Sequence, residues 1–182
     1  MNRLVMGIAL LSLTGCGYNR IQTLDEQVEA FKSQIEVQLQ RRHDLIPNLV
    51  ETVKAFATQE QEVFTAIADA RSKLGGAIQG GDIQEMARAN QGMQSALGRL
   101  LVITENYPEL RSNENFRTLQ DQLEGTENRI ATAREDYNSA VRAHNGYIRR
   151  FPAVLTAKAI GSKVHPYFEA DESAQEVPKV EF

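Results

Sequence analysis

From residue 21 onward, apolar side chains recur at steps of three and four with few interruptions. Ile21, Leu24, Val28, Phe31, Ile35 and Leu39 form one such stripe. Leu45, Ile46, Leu49, Val53, Phe56, Val63, Ile67 and Leu74 form a second. This spacing gathers side chains on one face of an α-helix but scatters them over both faces of a strand, so it selects helix. The intervening residues are mainly Ala, Glu, Gln, Leu and Arg, all good helix formers, and β-branched runs are scarce. Two more stripes follow: Ile83, Met86, Met93, Leu97, Leu100 and Leu101, then Phe116, Leu119, Leu123, Ile130, Tyr137, Val141 and Ile148. The chain is expected to be all-α.

The punctuation between stripes is specific. "GGAIQGGD", residues 75–82, reads as a flexible glycine-rich break. It lacks the Lys-Ser/Thr of a phosphate loop. Asp82 with Glu85 three residues on has the form of a capping box. Pro108 ends the third stripe, because the residue before proline avoids helical angles. Asn113 is placed to cap the fourth helix, and Phe151-Pro152 closes it. Residues 153–160 are long enough for a short extra helix, ended by Gly161. The tail 170–182, "ADESAQEVPKVEF", is acidic and poor in apolar residues, and is expected to be disordered.

The topology turns on "RRHDLIPN", residues 41–48. The stripes on either side are nearly in phase, which suits one long helix kinked at Pro47. In that arrangement a fold-back at 75–82 would set 83–106 against 50–74 and leave residues 21–39 without a partner. A reversal near His43 instead gives four comparable segments, 19–43, 45–74, 83–106 and 113–150. Asp44 would cap the second, with Pro47 in its first turn, where no intrahelical donor is lost. The expected fold is therefore an elongated up-down four-helix bundle with a short C-terminal helix. The alternative is one long Pro47-kinked helix plus two long helices, which would need a partner chain over 21–39. In the preferred reading Arg41, Arg42, His43, Asp44, Pro47 and Asn48 are turn and cap residues.

The same octet is the one candidate for catalysis, with His43 as a general base oriented by Asp44. Adjacent helical residues point about 100° apart, and no serine or cysteine nucleophile motif accompanies them, so no catalytic residue is assigned. His43, His144 and His165 lack a second ligand at a recognised spacing such as H-x-x-x-H, so neither a metal nor another cofactor is expected. Arg42, Glu60, Glu127, Arg134 and Asn145 fall on the apolar side of their helices. Most of them are expected to pair, because an unpaired buried charge is costly.

The first residues follow other rules. Met1–Arg3 carries one positive charge, and Leu4–Leu13 is ten residues without any. Ten is too short for a bilayer-spanning helix, which needs about 20, and suits the apolar region of a secretory signal. Leu13-Thr14-Gly15-Cys16 follows, with the only cysteine of the chain. This order resembles the lipobox of bacterial lipoproteins. The resemblance implies removal of residues 1–15, a diacylglyceryl thioether on Cys16 and an acylated new amino group. Residues 16–20 would then be a lipidated tether, followed by a helical domain over 21–169. Removal of 1–15 deletes Arg3, leaving 24 acidic and 19 basic side chains, a formal −5. A negative domain gains nothing from anionic lipid, and the absence of a basic patch argues against a nucleic-acid partner.

"IEVQLQRRHDLIPNLVETVKAFA", "LGRLLVITENYPELRSNENFRTLQDQLEGTENRIATAREDYNSAV" and "FPAVLTAKAIG…YFEA" together resemble the LemA family. That resemblance spans nearly all of residues 18–170. It implies a helical bundle outside the cytoplasmic membrane or in the periplasm, with no established enzymatic activity. It also implies an envelope protein partner, a membrane protease among the candidates. Members usually begin with a transmembrane helix; here a short apolar core and a lipobox stand in its place. Gly17 after the cysteine permits outer-membrane delivery, by analogy with lipoprotein sorting. The expected role is a lipid-anchored helical scaffold or interaction module. The alternatives are an envelope enzyme built on residues 41–48 and a carrier for a lipid or peptide.

Overall fold

In the computed structural model, which describes residues 2–169 and their side chains from residue 17, the stripes become α-helices. They are α1 (Asn2–Lys54), α2 (Gln61–Gly80), α3 (Ile83–Thr104), α4 (Pro108–Ser112), α5 (Glu114–Ile148) and α6 (Ala153–Ile160), and no strand occurs among the described residues. The fold is all-α, as the periodicity requires. The side chains of the expected signal and of Cys16, and the expected acidic tail, lie outside the described residues. The chain divides into two compact units. Unit 1 is Met1–Ile35 with Thr132–Tyr167, and unit 2 is Glu36–Ala131 with Phe168–Phe182.

In unit 1, Ile21, Leu24, Val28 and Ile35 of α1 are buried, as are Tyr137, Val141 and Ile148 of α5 and Ala153 and Ala157 of α6. Ile21, Ile148 and Ala157 form one cluster with Tyr147 against it. Fully burying an isoleucine contributes about 1.5–3 kcal/mol, so these contacts hold the stretch of α1 over residues 21–35 in place. The stripe over 21–35 is thus covered within the chain. The expectation that a continuous first helix would need a partner chain there fails, because α5 is long enough to reach it.

Residues 17–20, expected as a tether, are helical and belong to α1. A Cβ on Gly17 would lie 3.4 Å from Thr156 Oγ1, so α1 and α6 pass close to each other there. Gly161 ends α6 in the left-handed region at φ 71°. Its N–H donates to Lys158 O, and the Ser162 N–H reaches Ala157 O. This is a Schellman ending, which glycine adopts without steric cost.

In unit 2 the expected reversal at 41–48 is overturned. Residues 41–48 lie inside α1, which continues to Lys54, and the chain turns over 55–60 instead. Pro47 sits in the helix interior, where its missing N–H orphans the carbonyl of His43. Arg71 Nε of α2 donates to that carbonyl at 3.2 Å. The orphaned acceptor is therefore satisfied from a neighbouring helix, and the ladder need not end. Asp44 caps nothing; it accepts from Gln40 Nε2 at 2.8 Å on the exposed face of the same helix.

The glycine-rich break also contracts. α2 runs through Gly75, Gly76 and Gly80, and only Gly81 and Asp82 connect it to α3. Gly81 adopts φ 69°. A Cβ on Gly75 would come within 3.2 Å of His43 Nε2, so glycine there gives the imidazole room. The caps are as expected. Asp82 accepts from the N–H groups of Gln84 and Glu85, and Asn113 Oδ1 accepts from Phe116 N–H at 3.0 Å. Pro108 begins α4 at a position where its lack of an N–H costs nothing.

Candidate functional site

The polar residues of the apolar stripes form two separate clusters, one in each unit. In unit 2, Arg42 is 4% exposed and ion-paired with Glu127, and its Nη1 donates to Asn90 Oδ1 at 2.6 Å. Gln94 Nε2 donates to the other oxygen of Glu127. A guanidinium this buried requires such compensation, so Arg42 joins α1, α3 and α5 rather than capping a turn. Glu60 accepts from Tyr107 Oη at 3.2 Å. Burial, then the neighbouring Glu60 carboxylate, pushes the Tyr107 phenol above its usual range. Arg134, expected to pair inside, is exposed on α5.

The remaining residues of the octet separate. Arg41, Asp44 and Asn48 are exposed, while His43 and Pro47 are half-buried. His43 Nδ1 does approach Asp44 Oδ1, at 3.2 Å. The groove beside His43 is lined by Ile46, Pro47, Val50, Phe64, Ile67 and Arg71, among others, and by no carboxylate. Among the described residues no serine hydroxyl hydrogen-bonds His43. Ser72 lines the same groove without such a bond.

In unit 1 the structure assembles what the sequence leaves scattered. His144 on α5 is fully buried, and His165 on the segment after α6 packs its ring edge-on against it, with centroids 4.7 Å apart. Asp25 of α1 reaches both. Its Oδ1 lies 2.7 Å from His165 Nε2 and 3.7 Å from His144 Nε2. Ser162 Oγ stands 3.5 Å from the same His144 nitrogen.

Asn145 builds the frame of this cluster. Its Nδ2 donates to His165 O at 2.8 Å, and its Oδ1 accepts from His165 N–H at 2.9 Å. One side chain thus satisfies both backbone groups of a residue outside any helix, which buried polar groups demand. Tyr137 Oη donates to the next carbonyl, Pro166 O, at 2.9 Å. His43 belongs to unit 2 and takes no part. Asp25 was not singled out from the sequence, because 140 positions separate it from His165 and no local pattern links them.

Residues 31–182 match the LemA family. Magnetosome protein MamQ 2 of Paramagnetospirillum magneticum is 32% identical over 89% of this chain and 68% of its own length. Magnetosome protein MamQ of Magnetospirillum gryphiswaldense is 30% identical over 91% of this chain and 72% of its own. The family match covers unit 2 and the 31–35 and 132–167 parts of unit 1, with the Arg42 cluster and the His144–His165 pair inside it and Asp25 outside. The chain belongs to the LemA family.

Proposed function

We propose that the protein is a lipid-anchored component of the bacterial envelope, held through Cys16, which serves as a helical scaffold or interaction module and not as an enzyme. The observation that carries this reading is the join between the acylation sequence and the domain. Gly17, directly after Cys16, is already helical and lies against Thr156 of α6. In the same unit Phe151 (81%), Leu155 (60%) and Tyr18 (46%) are exposed, while Arg149 and Arg150 precede α6 in sequence and Lys158 lies in its last turn. Apolar side chains among cations suit the interface of a bilayer. Two or three such residues orient a domain; the acyl chains, at about 0.8 kcal/mol per methylene, hold it. No helix among the described residues is long and apolar enough to cross a membrane. Relatives that carry magnetosome names support the membrane part of this reading.

For a scaffold, the tightly paired polar residues are the supporting feature. Arg42 through Nη1 and Nη2, Glu127 and Asn145 bond other side chains and backbone of the same unit, while Arg42 Nε is buried without a partner. The partner is an envelope protein, a membrane protease among the candidates.

The test replaces residues 1–16 with an ordinary cleavable export signal and fractionates the cells after a high-salt wash. The product should leave the membrane fraction. Retention there would mean that residues 17–182 bind a bilayer or a membrane protein unaided, and the lipid account would be wrong.

A further inference from the structure

The proton positions in the Asp25–His144–His165 cluster follow from Asn145. Its amide is pinned by both backbone groups of His165, so its oxygen, not its nitrogen, faces His144 Nδ1, at 3.3 Å. An oxygen can only accept, so Nδ1 carries the imidazole proton. In the neutral ring Nε2 is then an unprotonated lone pair. It is fully buried, and it faces a carboxylate oxygen at 3.7 Å and the Ser162 hydroxyl at 3.5 Å. Two acceptors turned toward each other repel unless a second ring proton or a bound cation stands between them. His165 Nε2, 2.7 Å from the same Asp25 oxygen, completes a third corner. The three ligand atoms lie within 4.8 Å of one another.

We propose that Asp25 Oδ1, His144 Nε2 and His165 Nε2 form a binding site for a divalent transition-metal ion, with zinc as the type case. This proposal does not depend on the envelope role. Bond lengths near 2.0–2.2 Å put tetrahedral ligand atoms roughly 3.3–3.5 Å apart. His144 and Asp25, 3.7 Å apart, must close by roughly 0.2–0.4 Å to reach that spacing. Asp25 must open from His165 by roughly 0.7 Å, and its half-exposed side chain on the surface of α1 has room to do so. The proton on His165 Nε2 must vacate that atom as the metal enters, moving to Nδ1 in the neutral ring or to water from the charged one. Two neutral imidazoles with one carboxylate suit zinc, and leave a position open to solvent beside the exposed Asp25. Hydrogen-bonding the far nitrogen of a metal-binding histidine to an amide or carbonyl is the usual way its tautomer and ring angle are fixed. Asn145 holds that place for His144. Sequence spacing could not reveal this set, because its members come from α1, α5 and the segment after α6.

The test uses the full chain in detergent, stripped with a chelator and treated with an alkylating agent so that any free Cys16 thiol cannot contribute. Zinc chloride is titrated calorimetrically, and cobalt chloride is followed by its visible d–d absorption. One equivalent should bind, raise the melting temperature and give bands of tetrahedral intensity. Asp25→Ala and His165→Gln change partly exposed side chains and should keep the helical circular dichroism. Each should weaken zinc at least about ten-fold, the lower end of the loss seen even for outer partners of a metal site. His43→Gln should leave binding intact. No saturable binding by the unaltered chain, or binding untouched by both Asp25→Ala and His165→Gln, would overturn the assignment.

Discussion

Arg71→Met is predicted to destabilise the protein through Pro47, a residue on another helix. The substitution keeps an unbranched apolar stem in the groove beside Pro47 and removes the donor to His43 O. That carbonyl has lost its intrahelical partner to proline, so it is left unsatisfied in a half-buried site. Orphaning such an acceptor costs about 1–3 kcal/mol; partial exposure puts the expected loss near the lower half, about 1–2 kcal/mol. For a chain of this size each kcal/mol moves the melting temperature by roughly 2–4 °C, so a fall of about 2–8 °C is expected. Pro47→Ala restores the missing N–H and should itself stabilise, because proline in a helix interior costs about 3 kcal/mol before compensation. In the Pro47→Ala background, Arg71→Met should cost less than about 0.5 kcal/mol, a typical change away from special features. Denaturant melts of the four variants close a double-mutant cycle with a coupling of about 0.5–2 kcal/mol. If Arg71→Met costs the same in both backgrounds, Arg71 does not replace the lost helical bond, and the account of how α1 survives Pro47 is wrong.

Other substitutions probe the remaining contacts. Asn145→Ala removes both bonds to the His165 backbone and should cost about 2–4 kcal/mol, at 1–2 for each buried group left unpaired. Faster amide exchange at His165 should accompany it, and unchanged exchange would disprove the frame. Glu127→Gln leaves the buried Arg42 charge without its counter-ion and should cost up to about 3–5 kcal/mol, less for the partial exposure of Glu127. Arg42→Met with Glu127→Leu should recover much of that loss, since a well-packed apolar pair often matches a buried ion pair. Asp82→Ala should cost about 0.5–2 kcal/mol as a lost cap, read from urea melts. Tyr107 has its phenol pKa raised in the fold, so the neutral phenol is the form the fold prefers. Its contribution is present below the unfolded value near 10 and is lost as pH rises through the higher folded value. Glu60→Gln should lower the tyrosinate midpoint assigned to Tyr107 by difference against Tyr107→Phe; no movement would exclude Glu60 as a cause.

Local signals in this sequence proved dependable, and signals that needed a distant partner did not. Gly161, Asn113 and Asp82 act within four residues of themselves, and each stands where its spacing places it. "RRHDLIPN" fails for the opposite reason. Asp44 three residues before Pro47 imitates a helix start, and only Arg71, 28 positions away from His43, cancels the effect of the proline. The real turn over 55–60, "AFATQE", contains neither glycine nor proline. It forms around the fully buried Ala57, with the Phe56 and Ala57 N–H groups both reaching Val53 O. Glycines 75, 76 and 80 suggest a loop by composition but are residues of α2, which packs along α3. Of the cluster in unit 1, His144, Asn145 and His165 were all visible as residues, whereas Asp25 was hidden among the ordinary exposed acids of an amphipathic helix.

The central claim, attachment through Cys16, is tested most directly by the intact mass of the protein extracted from native membranes. The account predicts a chain that begins at Cys16, lacks residues 1–15, and carries the added mass of a diacylglyceryl group and an amide-linked acyl chain. Its sulfur should not react with a maleimide, before or after reduction. A membrane-bound chain that retains residues 1–15 and offers Cys16 as a free, alkylatable thiol would contradict it.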